Sequence, residues 1–389
     1  MTAETGVSLK KKRIEVIDAG RGVAMLFVFL SHFSEFYFGY HGKTRLLETM
    51  YNITMIASPS FMLISGTMLG YLFRSNPGGY QRIREKYIDR GLFLLLVAHI
   101  LIFIIMLPYL YYHGHNYRIL FITDTIGLSM IAGSYLLPKI RPAMRLAISA
   151  GIFIISWIIV LELSINNWHV SFWMEPVTGN LKHNWFDVFP FLPWFALFFA
   201  GTAIGERISV YYRENALLKI ERMLLRLSML FIGIFLVLQG IKAILRIRGW
   251  EVDIGYLGAL LFHGQKNPPG LSYLLFYGGT GLSMLYVLAL MIRRNFLPNI
   301  VELLKLIGRN SLFVFVIQYF FMISLNVLIR PCWSPFWPIL FGIEMIAVIL
   351  LTWFWDTRGF NRFLTVLHPG VWREIIPVRK RTYNKWEQD

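Results

Sequence analysis

The sequence predicts an all-α polytopic membrane protein of about ten transmembrane helices, and three observations carry that prediction. Apolar residues make up 56% of the 389 and charged residues only 15%, with a mean hydropathy of +0.55. A soluble chain carries about 25% charge. Runs of roughly twenty apolar residues, enough to cross ~30 Å of hydrocarbon, fall at 18–38, 50–73, 87–111, 118–137, 144–164, 187–206, 223–247, 270–292, 309–329 and 335–356. With the N-terminus set in the cytoplasm, 28 Lys and Arg lie in or beside the inner segments and 8 in or beside the outer ones. That is the asymmetry of the positive-inside rule. Both termini are therefore expected in the cytoplasm. The chain divides into a basic segment at 1–17, a membrane domain at 18–356 and a basic tail at 357–389. The formal charge of +16 is then mostly topology, and no nucleic acid is expected as a partner. The tail, ending VRKRTYNKWEQD, suits anionic headgroups.

At the N-terminus, Lys10, Lys11, Lys12 and Arg13 precede a span too long for a signal core, so no cleavable signal is expected. The span itself, AGRGVAMLFVFLSHFSEFYF, holds Arg21 and His32. Eleven residues at ~100° each make three turns plus ~20°, so both project from one face, ~16 Å apart along the axis. Ionisable groups in a bilayer are expensive and face a protein interior or a watery path. The spacing is too long for a direct bond. It fits an extended ligand gripped at one end and worked on at the other. A transporter or flippase would use the same pair to bind substrate or relay protons. Simpler roles compete: Asp18, three residues before Arg21, has the spacing of a helix ion pair. Glu35, one turn beyond His32, is placed to hydrogen-bond it.

The second span contains SPSFMLISGTMLGYLF. Gly66 and Gly70 form the Gly-x-x-x-Gly spacing that brings helix backbones together, and Ser65 beside them is open to packing or to substrate contact. A short outer loop after the third span holds His113-Gly114-His115, which no carboxylate or cysteine completes as a metal set. Asp124 lies one turn into the fourth. The fifth is plainly apolar and leads into an outer loop, 165–186, rich in aromatic and amide side chains suited to a sugar or to the interfacial belt. Asp187 opens the sixth span, ahead of Pro190, Pro193 and Trp194. Prolines free backbone groups, tolerated in a membrane only where protein or water satisfies them, so FPFLPW is expected to wall a cavity. Lys242 and Arg246 near the end of the seventh either snorkel or attract an anion. A second outer loop, 248–269, repeats the aromatic and amide mixture. The ninth span begins with Asn310 and Ser311, an N-cap candidate and equally a phosphate-binding helix start, and holds Gln318 at its middle.

Several of these segments resemble one family. RIEVIDAGRGVAMLFVFLSHFSEF is similar to the first helix of the transmembrane acyltransferase superfamily. That group includes acyltransferase-3 proteins, OpgC-type glucan succinyltransferases and the heparan-α-glucosaminide N-acetyltransferase catalytic domain. Arg21 and His32 match the acyltransferase-3 hallmark of arginine, ten residues, histidine. SPSFMLISGTMLGYLF resembles the second-helix motif, and REKYIDRGLFLLLVAHILIF resembles the third helix of OpgC-like proteins. ITDTIGLSMIAGSYLL, FPFLPWFALFFAGTAIGE and IGRNSLFVFVIQYF look like the heparan-type domain. The patches run in the family's order across most of 14–330. His32 follows the acyltransferase-3 and OpgC pattern, where the heparan-type branch usually has asparagine. Gln318 stands where relatives often carry histidine.

The resemblance implies transfer of an acyl group, usually acetyl from acetyl-CoA, to a hydroxyl or amine of a carbohydrate or lipid-linked glycan across the cell (inner) membrane. His32 is then the base or a transient acyl carrier, and Arg21 a donor-site residue. Asp18, Glu35, Ser65, Asp187, Trp194, Asn310, Ser311 and Gln318 are the further donor- or substrate-binding candidates. Acyl-CoA enters as co-substrate; no resident cofactor and no metal are expected.

Overall fold

A computed structural model describes residues 14–38, 45–113, 121–166, 189–253, 255–262, 270–329 and 337–366, with scattered positions in the two long loops. Most of the basic N-terminal segment, most of the tail, His115, Asp187 and Cys332 lie outside the described residues. Among the described residues all regular structure is helical.

Helix α1 (Glu15–Phe38) comes first. The short α2 (Arg45–Thr54) leads, after a break at Met55 and Ile56, into α3 (Ala57–Ser75). Next come α4 (Tyr80–Leu92), a π-helical stretch at Phe93–Ala98, and α5 (His99–His113), in one rod. They are followed by α6 (Ile122–Leu136), α7 (Pro142–Ile165), the single turn α8 (Glu175–Thr178), α9 (Phe191–Arg213) and α10 (Leu217–Ile247). The second long loop contains α11 (Gly255–Leu261). A rod of α12 (Leu271–Tyr273), a π-helical stretch at Leu274–Gly278 and α13 (Gly279–Arg293) follows. The last helices are α14 (Pro298–Arg309), α15 (Ser311–Ile329) and α16 (Trp337–Thr357).

A helix occupies each predicted span, and seven of the described rods are long and apolar enough to cross a membrane. Helices α6, α9 and α15 fall short of that measure. At 15 residues, α6 rises only ~22 Å, α9 carries Glu206, Arg207 and Arg213 in its last turns, and the described apolar part of α15 is Ser311–Phe321. One helix was not expected. The loop before the ninth span folds as the amphipathic α14, which buries Val301, Leu304 and Ile307.

Two interlocks set the helix positions. A Cβ added to Gly66 or Gly70 of α3 would collide with the carbonyl oxygen of Phe198 or Thr202 on α9. One added to Gly205 of α9 would collide with that of Thr67 on α3. The Gly-x-x-x-Gly spacing is thus a packing surface, as small residues in membrane helices commonly are. Likewise Gly22 of α1 meets the carbonyl of Leu304, and Gly308 of α14 meets that of Asp18. Between these pairs, α3 and α9 lie in the bundle interior. Outward faces of α7, α10 and α16 expose Ile154, Ile155, Leu236, Val237, Ile343 and Ile346, as lipid-facing surfaces do.

One end of the bundle, the near end, holds the start of α1, the ends of α3, α6, α9 and α13 and the starts of α7 and α10. The far end holds the starts of α3 and α6 with the last turns of α1.

Candidate functional site

The face of α1 that carries Arg21 and His32 looks into two cavities, one above the other. The far chamber, about 410 Å³, is bordered by His32 and Ser31 of α1, Tyr51 and Thr54 of α2, Phe121 before α6, Tyr319 of α15 and the loop residues Gly264 and Lys266. The near chamber, about 140 Å³, is bordered by Arg21, Ser65, Arg90, Thr123, Arg309, Asn310, Ser311 and Asn361. Three side chains belong to both walls: Phe61 of α3, Ile126 of α6 and Phe315 of α15. They form the partition. Each key residue of α1 touches it, with the Arg21 guanidinium carbon 5.9 Å from the Phe61 ring centre and the His32 ring edge-on to Phe315 at 6.3 Å.

The near chamber is built from three guanidiniums on a tied polar floor. Arg21 donates to Ser311 Oγ at 2.6 Å, joining α1 to the first turn of α15. Asn310 sits at the α14–α15 junction. Its amide nitrogen donates to the Leu306 carbonyl at 2.8 Å and to Asp356 at 3.0 Å, and its oxygen accepts from Asn361 at 2.6 Å. The expected N-cap is therefore not what this side chain does. Helix α14 runs up to it, so its amide closes one helix while tying down the chain after α16. Arg309 lies 3.7 Å from Asp356, and Asp89 accepts from the Val366 backbone at 3.0 Å, which folds residues 360–366 beneath the chamber.

In the far chamber, His32 Nε2 lies 3.3 Å from the Tyr319 hydroxyl, and the two rings are 4.7 Å apart. Which partner donates depends on the imidazole tautomer. Lys266 reaches over the Phe189 ring at 5.3 Å. Phe189 is itself fixed by the Thr125 hydroxyl, which donates to its carbonyl at 2.6 Å. A further pair lies at the start of α6. Asp124 accepts from the Phe121 backbone at 2.7 Å and contacts His99 Nδ1 at 2.8 Å. It thereby holds Phe121, a chamber wall, in place.

The structure brings Arg21, Ser65, Asn310 and Ser311 into the near chamber and His32 into the far one. Asp18 is buried beneath α14 instead. Trp194 is wholly buried against Phe189 and Tyr273, behind the far chamber. Gln318 is also wholly buried; neither amide atom has a hydrogen-bond partner among the described residues. Glu35 belongs to α1, its side chain outside the described residues, and Asp187 lies outside them altogether. Arg90, Arg309, Asn361, Phe61, Phe315, Tyr319 and Lys266 were not singled out by sequence. The loop that contains Lys266 was.

Three guanidiniums can hold phosphate oxygens through paired N–H donors. An imidazole beyond an aromatic partition can take a proton from a nucleophile. The arrangement suits a ligand anchored by charge at one end and reacting at the other. No curated protein and no solved structure matches the chain. A family model, that of the heparan-alpha-glucosaminide N-acetyltransferase catalytic domain, matches residues 13–239, more than half of the chain. With that match, and with Arg21, Arg90 and His32 inside it, the chain belongs to the heparan-alpha-glucosaminide N-acetyltransferase catalytic family, membrane proteins of acyltransferase type.

Proposed function

We propose that this protein takes an acyl group, in the simplest case acetyl, from acyl-CoA at the near, cytoplasmic end. It passes the group to a hydroxyl or amine of a carbohydrate or lipid-linked glycan admitted from the far end. One observation carries the reading: two chambers stand back to back on a shared wall of Phe61, Ile126 and Phe315, guanidiniums on one side and an imidazole on the other. The cytoplasmic assignment of the near end rests on the distribution of Lys and Arg.

In this reading Arg21, Arg90 and Arg309 bind the donor's phosphates, and the pantetheine arm passes the partition so that the thioester meets His32. The acceptor oxygen or nitrogen attacks the thioester carbonyl carbon. A carbon–oxygen or carbon–nitrogen bond forms, the carbon–sulfur bond breaks, and His32 takes the acceptor's proton and returns it to the departing thiolate. A two-step route, with the imidazole nitrogen acylated first, uses the same geometry. Tyr319 orients the imidazole in either case. Stacking and hydrogen-bonding groups at the far mouth, Tyr51, Phe121 and Lys266 among them, suit a sugar ring.

The test is thiol release from acetyl-CoA by the purified protein with crude cell-envelope glycans as acceptor, run beside His32→Ala. Release that requires acceptor and falls ~10²–10⁴-fold in the variant, the size of a lost general base, is expected. Absence of release across several acyl-CoAs and acceptor extracts, with no donor binding, would sink the proposal in favour of transport.

A further inference from the structure

The near end holds another cavity, of about 570 Å³, between the end of α3, the α6–α7 turn and the last turns of α9. It shares no lining residue with the Arg21 chamber. Four guanidiniums border it, those of Arg74, Arg141, Arg145 and Arg207, against the single lining carboxylate of Glu206. That carboxylate is already engaged. Arg145, with no exposed surface, is ion-paired to Glu206 and donates to Thr202 Oγ1 at 2.7 Å. Arg207 is held above the pocket by its Nε, which donates to the Tyr211 hydroxyl at 3.0 Å. The remaining wall is apolar, with Phe73, Leu137, Ile140 and Val210. Beside it, α7 exposes Met144 and Leu146 outward.

Among the described residues the lining holds four guanidiniums and one carboxylate, a net positive set beside the exposed apolar face of α7. Guanidinium forks match phosphate oxygens better than any other anion donor set a protein offers. A soluble phosphate would satisfy the arginines and leave the apolar wall bare. A lipid satisfies both, headgroup on the arginines and glycerol or acyl carbons along Leu137, Ile140 and the α7 face. Basic pockets between membrane helices on the cytoplasmic side take phosphorylated headgroups in this way. The buried Arg145–Glu206 pair forms the floor. A buried pair keeps its geometry because losing either partner strands a charge.

We infer that this cavity binds the phosphate headgroup of an anionic membrane lipid, held by Arg74, Arg141 and Arg207 over the Arg145–Glu206 pair. The bound lipid clamps the ends of α3 and α9 to the start of α7. The site is independent of the acyl-donor chamber and of the transfer reaction.

The experiment places the full-length protein in phosphatidylcholine discs doped with phosphatidylglycerol, and counts retained anionic lipid by mass spectrometry after washing. Arg74→Gln/Arg141→Gln should retain at least roughly fivefold less than wild type, while Arg74→Lys/Arg141→Lys, which keeps charge without the fork, falls between. Equal retention by wild type and the glutamine variant overturns the inference. Inorganic pyrophosphate added in the wash should not displace the lipid; displacement would identify a soluble phosphate compound as the ligand and overturn the lipid reading. Thermal unfolding in pure phosphatidylcholine is the folding control. Should the double variant melt lower there, the lipid count is repeated on Arg207→Gln, whose side chain is exposed. Reduced retention by that variant supports the inference, and wild-type retention overturns it.

Discussion

The two chambers on the α1 face differ in what holds their walls. Around Arg21, side chains from α1, the α14–α15 junction and the chain beyond α16 are cross-tied, Arg21 to Ser311, Asn310 to Asp356, Asn361 to Asn310 and Trp355 to Asn361 at 3.1 Å. Around His32 the walls come from α1, α2, α3, α6, α15 and two loops, where ring contacts stand beside local hydrogen bonds such as Thr125 to Phe189 and Asp124 to Phe121. The near chamber is also about a third of the far one's size, 140 against 410 Å³. A small, cross-tied polar chamber suits an invariant ligand part, because preorganised donors lose little freedom on binding. A wide chamber lined by rings and loops suits a ligand that varies. The proposed acyl-CoA donor has a constant anionic end, and the proposed glycan acceptors do not.

Removing the imidazole from one side and two guanidiniums from the other tests this division most severely. His32→Ala should lower kcat by ~10²–10⁴ and leave donor affinity unchanged. Arg21→Gln/Arg90→Gln should raise the KM for acyl-CoA roughly tenfold or more, since a hydrogen bond to a charged group contributes about 1.5–3 kcal/mol, and should lower kcat far less. Steady-state kinetics with varied donor separates the two. If both variants change the same parameter by the same factor, the chambers do not divide the labour as proposed.

A subtler change targets the wall between them. Phe315→Leu keeps the site apolar but thins the partition that Arg21 and His32 both approach. Thiol release without acceptor should rise several-fold as water reaches the thioester, while acceptor-dependent transfer changes less. An unchanged background rate would mean that Phe315 does not separate donor from water.

Legibility in the sequence followed the same division. Arg21 and His32 stood out because charge is rare in a membrane span and their spacing fixes a common face. Helices at the apolar runs were legible from run length, seven of the described rods being long and apolar enough to cross a membrane, whereas α14 was not, since a short amphipathic helix reads as a basic loop. Arg90 and Arg309, which border the near chamber, were hidden by the rule used to orient the chain: at span edges an arginine that lines a cavity and a topological one look alike. Phe61, Phe315 and Tyr319 could not be seen, because an aromatic ring in an apolar run is equally at home in the core. Trp194 and Gln318 stood out for the opposite reason: they are polar-tipped groups at suggestive positions. The fold has placed both in packed interior, where only neighbours unknown from sequence could have put them. The near chamber is completed by Arg309, Asn310, Ser311 and Asn361, all beyond the matched 13–239, so its make-up depends on how the two halves of the chain meet.

The smallest expected effect concerns the loop that feeds Lys266 to the far chamber. Asp253 bridges Lys242 at 2.7 Å and Arg246, so the two basic residues at the end of α10 are latched to the loop and do not simply snorkel. Hydrogen bonds from Lys242 and Arg246 hold the Asp253 carboxyl below its ordinary value. A depressed carboxylate contributes above the unfolded value, about 3.9, and its contribution fades only as pH falls through the lower folded value. Nothing should therefore change between neutrality and pH ~5 on this account. Asp253 and Arg246 are exposed while Lys242 is largely covered, and ion pairs with an exposed partner contribute little. Asp253→Asn should leave the melting midpoint and the acyl-CoA KM at wild-type values. A rise in the acceptor KM alone would extend the contrast between the chambers outward, since it would make the latch, and the loop it holds, part of how the far chamber recognises its varied ligand.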